Sequence, residues 1–225
     1  MALVIALMCM ILMLALGTAL IVVIDTETRI SSHYQDSAEA LYAADAGVEW
    51  IAQDLLGASD WNSLLNGSIQ SGFIDGAPSG TRPLSDGTTL DLAQVTNLVR
   101  CGEVTTCSDA SMDAVTAERP WGANNPRWQP YAYGPLSGML PNGMINARTY
   151  LIVWVADDPS ESDGKPFEDG GLASSPGRGV LAIRAHAYGP SGSRRMVEAT
   201  VARIQVPESG QAGSGLRVLS WREIR

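Results

Sequence analysis

From the first residue to Ile24 the chain is apolar without a break by charge. Met1–Ile24 holds no Asp, Glu, Lys or Arg, no proline and a single glycine, Gly17. A helix of about 20 apolar residues, rising 1.5 Å per residue, matches a hydrocarbon layer roughly 30 Å thick. Residues 1–24 therefore predict a helix suited to a bilayer or to an equally dry setting. From Asp25 the pattern changes: Ile30, Tyr34, Ala38, Leu41, Ala44, Val48, Ala52 and Leu55 recur at steps of three and four, and Glu27, Arg29, Gln35, Asp36, Glu39 and Glu49 take other positions. That is the period of an amphipathic helix with a small or apolar stripe. No proline or turn chemistry separates the two patterns, so one rod of roughly 80 Å is expected to reach about Leu56. Its first part (1–24) is apolar all round and its continuation (25–56) is amphipathic.

The last third carries a different period. Tyr150–Ala156 is nearly continuous apolar sequence, as in a strand buried on both faces. Leu181, Ile183, Ala185 and Ala187 alternate with Arg184, His186 and Tyr188, the mark of a half-buried strand. After the hairpin-sized loop 189–193, Val197, Ala199 and Val201 alternate with Met196, Glu198 and Thr200. Residues 147–206 thus predict an antiparallel sheet, and its oily face needs another layer. The amphipathic half of the long helix is the natural one, giving an α+β fold. Pro207–Gly215 reads as a linker and 216–225 as an edge strand whose charges discourage further pairing. Residues 57–146 are rich in Gly, Pro, Ser, Asn and Asp around short apolar bursts such as Leu90–Val99, and read as ordered loops with a short helix or strands. Trp121, Trp128, Tyr131 and Tyr133 lie among prolines there, either as a ligand platform or, as we weigh it, as the cover of a small core.

A secretory signal would open with a basic region, hold about 7–15 apolar residues and finish at a small-residue cleavage site; the run from Met1 shows none of these. The segment Met1-Ala2-Leu3-Val4-Ile5-Ala6-Leu7, taken with Ala38-Glu39-Ala40-Leu41-Tyr42-Ala43-Ala44-Asp45-Ala46-Gly47-Val48-Glu49, resembles the N-terminal helix of the type IV pilin superfamily and is similar to PilX-type minor pilins. That resemblance covers about residues 1–56. It implies a leader ending in glycine that a prepilin peptidase removes, Met1 as the processed and methylated terminus, and a long helix packed on an antiparallel sheet. It also implies assembly with other pilin or pseudopilin subunits through helix positions such as Leu3, Ile5, Leu7, Leu12, Leu16 and Gly17. One departure matters: major pilins usually carry a glutamate at the fifth mature position, facing a neighbour's terminal amine, where this chain has Ile5. A buried unpaired charge costs several kcal/mol in practice. The loss resembles K-type pseudopilins and some PilX-like subunits, and it disfavours a homopolymeric shaft.

Composition narrows the function classes. A formal charge of −9 over 225 residues argues against a nucleic-acid partner, which leaves a basic footprint. Six tryptophans point to a real core in the roughly 170 residues beyond the helix. Cys9 lies in the apolar run, whereas Cys101 and Cys107 sit close in a polar segment and are expected to pair if the domain lies outside the cytoplasm. With His33 in the helix and His186 on a strand as the two histidines, no nucleophile–base arrangement has sequence support, and no phosphate-binding glycine loop appears. The chain thus reads as no enzyme and as needing no organic cofactor. The acidic stretch Asp157-Asp158-Pro159-Ser160-Glu161-Ser162-Asp163-Gly164, followed by Glu168-Asp169, offers hard oxygen ligands suited to Ca²⁺, with Asp157, Asp158 and Asp163 as candidates. The spacing is not that of an EF-hand, and a solvated loop between strands explains the same residues, so both readings stand.

Two functions remain. One is a minor pilin or pseudopilin held in the bacterial inner membrane and then drawn into a periplasmic or extracellular filament of a type IV pilus or type II secretion-like system. Gly17 and Thr18 are then points where the helix is expected to loosen, a packing glycine being the alternative. The other is a signal-anchored extracytoplasmic binding domain that does not polymerise, which predicts a flexible joint near residues 25–35.

Overall fold

The computed structural model describes residues 1–114, 124–139, 147–161, 163–170, 178–208 and 211–224, with 205–208 and 211–214 described by backbone alone. Helix α1 runs unbroken from Ala2 to Gly57, roughly 80 Å at the helical rise. No joint falls at 25–35. The chain leaves the helix at Ala58 in an extended conformation, and the single turn α2 (Asn62–Leu65) then carries Leu64 and Leu65 under the end of α1 beside Trp61.

The stripe that packs is shifted from the one the sequence predicts. Ile30 and Tyr34 are exposed, and burial begins at Asp36, continuing through Ala40, Ala43, Ala44, Gly47, Val48, Ile51 and Leu55. Apolar character up to Tyr34 thus serves something outside this chain's core. Small residues dominate the packed face because the helix lies close on the sheet.

Five antiparallel strands form that sheet in the order β3 (Gln129–Pro135), β4 (Tyr150–Asp157), β5 (Val180–Tyr188), β6 (Arg194–Glu208), β7 (Gln211–Ile224). A separate two-stranded hairpin comprises β1 (Thr81–Pro83) and β2 (Thr89–Asp91). The α+β class and the helix-on-sheet arrangement are as the sequence predicts. The stretch read as a linker is not one: Pro207 stands opposite Ala212 and Glu208 opposite Gln211, so β6 and β7 pair well beyond the sheet body. Strand β3 also arises inside the region read as loops. It is an edge strand with a bulge between Pro130 and Ala132, the setting in which prolines are tolerated.

The sheet is covered on both faces. Leu151, Val153, Val155, Ile183, Ala185, Val197, Ala199 and Val201 face α1, whereas Tyr150, Ile152, Trp154, Ala182 and Tyr188 join a second core with Trp128, Tyr133, Leu92, Val95 and Val99. Strand β5 is therefore buried on both sides rather than half-buried. The second cover is α3 (Leu92–Cys101), whose N-cap Asp91 accepts hydrogen bonds from the backbone N–H of Ala93 and Gln94 and whose end is closed by Gly102 at φ 75°. Glycine suits that left-handed position because it has no Cβ to clash. Cys101 at the end of α3 forms a disulfide with Cys107, before the short helix α4 (Asp109–Ala114). Trp128, Tyr131 and Tyr133 are buried on or beside β3, which agrees with the cover reading; Trp121 lies outside the described residues.

Candidate functional site

Two features stand out against this frame: the uncovered stalk and a buried acidic group. Every residue from Met1 to Gln35 is exposed, including Leu3, Ile5, Leu7, Leu12 and Leu16. The helix is long and apolar enough to cross a membrane, with none of its most apolar window buried in the protein. Stripping that much aliphatic surface from water is worth roughly 25 cal/mol per Å², so the stalk needs another apolar environment. Met1 precedes the helix as its N-cap residue without a side-chain cap. Gly17 contacts nothing within 4 Å of where a Cβ would stand, so it packs on no part of this chain. Next to it the Thr18 hydroxyl donates to Ala15 O at 3.0 Å, which spares a polar group in a dry setting.

The lower half of the helix is fixed to the head by polar ties as well as by packing. Arg195 Nε donates to Ser37 Oγ at 2.8 Å, Trp221 Nε1 to Asp45 Oδ1 at 2.8 Å, Thr149 Oγ1 to Glu39 Oε1 at 3.2 Å and Arg203 Nη2 to Ala58 O at 2.8 Å. These bonds come from β6, β7 and the approach to β4, and they span α1 from residue 37 to its end. The stalk therefore projects from the head as one rigid piece.

The candidate calcium ligands are only partly brought together. Asp157, the last residue of β4, is buried, but Asp158 bonds Ser160 and exposed Asp163 accepts the Lys165 N–H at 2.9 Å. Each of these two closes a local turn instead of facing Asp157. The residues that do meet Asp157 are Glu161 and Asp169, one carboxylate oxygen from each of the three lying within 4.8 Å of the others. Glu161 and Asp169 both lie in the acidic stretch read as offering oxygen ligands, but neither is among the candidates Asp157, Asp158 and Asp163. Burial pushes the Asp157 carboxyl up to about 8 and that of Glu161 up to about 7, with neighbouring carboxylates adding to both. Asp169 is raised as well by burial.

The histidines lie apart from this group. His33 is exposed on the stalk, and His186 is buried at 2% exposure beside Trp154, its ring held near pKa 2 by desolvation and by Arg194 and Arg184. Such a ring stays neutral and structural.

Residues 1–49 match the family model described as PilX N-terminal. No curated protein and no solved structure matches the chain. The match ends within α1 and takes in the whole exposed stalk together with the first turns that pack on the sheet. The N-terminal helix, resting on an antiparallel sheet, is thus similar over residues 1–49 to that of PilX-type pilins.

Proposed function

We propose that the chain is a structural minor pilin: its stalk waits in the inner membrane and is then drawn into a filament core, where helices of other pilin subunits replace lipid. The observation that carries this reading is the unbroken α1, bare over residues 1–35 and rigidly fixed to the head below them. An anchor that only tethers a domain needs neither the stiffness nor the continuity. Lipid tails and neighbouring apolar helices are nearly equivalent surroundings for Leu3, Leu7, Leu12 and Leu16, so the transfer asks little of the hydrophobic effect itself. Van der Waals packing then decides the association.

Ile5 supports a place at the filament tip or at low copy number. An isoleucine there leaves any adjacent terminal amine uncompensated in an apolar core, which disfavours a stack of identical subunits.

Mechanical shearing of intact cells, followed by immunodetection, tests the reading. A minor pilin appears in the sheared filament fraction together with the major subunit. A tethered binding domain stays wholly in the membrane fraction, and that result would defeat the proposal.

A further inference from the structure

We infer that Asp157, Glu161 and Asp169 form a calcium site that fastens the long β4–β5 connection to the end of β4. The inference does not depend on filament assembly. It starts from two orphaned atoms: Asp157 Oδ1 and Glu161 Oε1 are buried and have no hydrogen-bond partner, on side chains exposed by only 5% and 1%. Buried carboxylate oxygens without partners are costly, and two of them within one group of three carboxylates call for a shared cation or for protons.

The geometry suits one ion. Calcium takes oxygen ligands at 2.3–2.6 Å, so two ligands of one ion lie at most about 5 Å apart, and the three carboxylates meet that limit at 4.8 Å. Two of the carboxylates are held from the protein side: Gly170 N–H donates to Glu161 Oε2 at 3.0 Å and Gly179 N–H to Asp169 Oδ1 at 2.6 Å. The backbone of Asp169 is anchored in turn, its N–H donating to Asn62 Oδ1 at 2.6 Å. The orientation of the Glu161 and Asp169 carboxylates is thus set before any ion arrives.

Charge points the same way. The charged neighbours of Asp157 and Glu161 are other carboxylates, Asp158, Asp163 and Asp169 among them. Arg203 and Arg178 act on Asp169, but the Arg203 guanidinium is spent on Ala58 O, Ser59 O and the face of Trp61, and Lys165 is paired with Glu168. Among the described residues no nitrogen or sulfur ligand joins the group, which favours a hard cation over zinc. Three carboxylates of mixed burial, one at a strand end and two on the loop that follows, suit calcium's flexible shell better than the strict octahedron of magnesium.

The full chain in detergent micelles, stripped with chelator, is titrated calorimetrically with CaCl2 and separately with MgCl2 while its melting is followed. One calcium per chain is expected, with a dissociation constant of about 10 µM to 1 mM, at least tenfold tighter than magnesium and with a rise in Tm. Glu161→Gln and Asp157→Asn each weaken binding at least tenfold, whereas Asp158→Asn leaves it unchanged. Without calcium Glu161→Gln melts higher than the native chain, because a repelling charge is gone, and the order reverses when calcium is added. Should Asp157→Asn fail to fold, Glu161→Gln alone decides, since its amide oxygen keeps the bond from Gly170. No binding at millimolar calcium, equal binding of both ions, or binding unaltered in Glu161→Gln overturns the assignment.

Discussion

Gly47 of the helix and Leu151 of the sheet stand so close that a Cβ on the glycine would lie 2.8 Å from Leu151 Cδ2 and 3.3 Å from Val153 Cγ2. Leu151 and Val153 are fully buried, so neither has room to move aside. Alanine gains about 1 kcal/mol of helix propensity over glycine, but overpacking a full core costs about 1–3 kcal/mol. Gly47→Ala is therefore expected to destabilise the head by about 1 kcal/mol in denaturant titrations. Adding Leu151→Val to it is expected to cost less than Leu151→Val costs on its own. Additive effects of the two substitutions would show that the helix does not bear on Leu151.

Glu198 is the hub of three strands. It accepts Arg184 Nε at 3.0 Å from β5 and Arg222 Nη2 at 2.8 Å from β7 while itself sitting buried on β6, and the Arg184 guanidinium lies 4.4 Å from the centroid of Trp128. Removing one member of such a buried network leaves charge uncompensated, at about 3 kcal/mol or more. Glu198→Ala is expected to lower stability by that order, and Glu198→Gln by less, in urea unfolding of the full chain in micelles. A loss under about 1 kcal/mol for Glu198→Ala would mean the pairs are screened like surface ones.

Strand β4 is legible in the sequence from its unbroken apolar run and β5 and β6 from their alternation, and α1 because composition leaves no other choice. What the sequence hides is decided by contacts between distant segments. The packed stripe on α1 starts at Asp36 rather than Ile30, since only the sheet's footprint determines where covering begins. Gln129–Pro135 reads as turn chemistry for its two prolines and Gly134, yet an edge position and a bulge accommodate them. Helix α3 did carry a signal, Asp91 with Gln94 three residues on and Gly102 past the end, the pattern of a capping box and a glycine stop. The acidic group was only half visible, because Asp169 reaches Asp157 through the fold of the loop.

Closing the Cys101–Cys107 loop removes chain entropy from the unfolded state, about 2 kcal/mol for a loop of this size. Because Cys101 ends α3, reduction is expected to lower Tm and to expose the second core first, read as faster amide exchange in residues 92–101 than in β5. Equal exchange before and after reduction would show that α3 holds without the bridge.

His186 predicts an acid limb in the stability curve. The ring lies against Trp154 and Tyr188, with Arg194 Nη2 3.3 Å from Nδ1 and Arg184 on the same strand. Its folded pKa of about 2 is below the unfolded value of about 6.5, so unfolding takes up a proton between the two. Stability from this group is complete above about pH 6.5 and falls on acidification by up to about 1.4 kcal/mol per pH unit. The carboxyls of Asp157 and Glu161 act in the opposite sense, so the informative quantity is the difference between the native chain and His186→Gln. That difference is expected to narrow as pH falls from 7 toward 4, and parallel curves would contradict the burial of a neutral ring.

Photo-crosslinking in sheared filaments tests the central claim most directly. With a photoreactive residue at Leu12, in the dry half of the stalk, and another at Ile30, below it, illumination is predicted to join the chain to another pilin subunit at both depths. Absence of the chain from the filaments, with adducts formed only to lipid in the membrane fraction, would contradict assembly through α1.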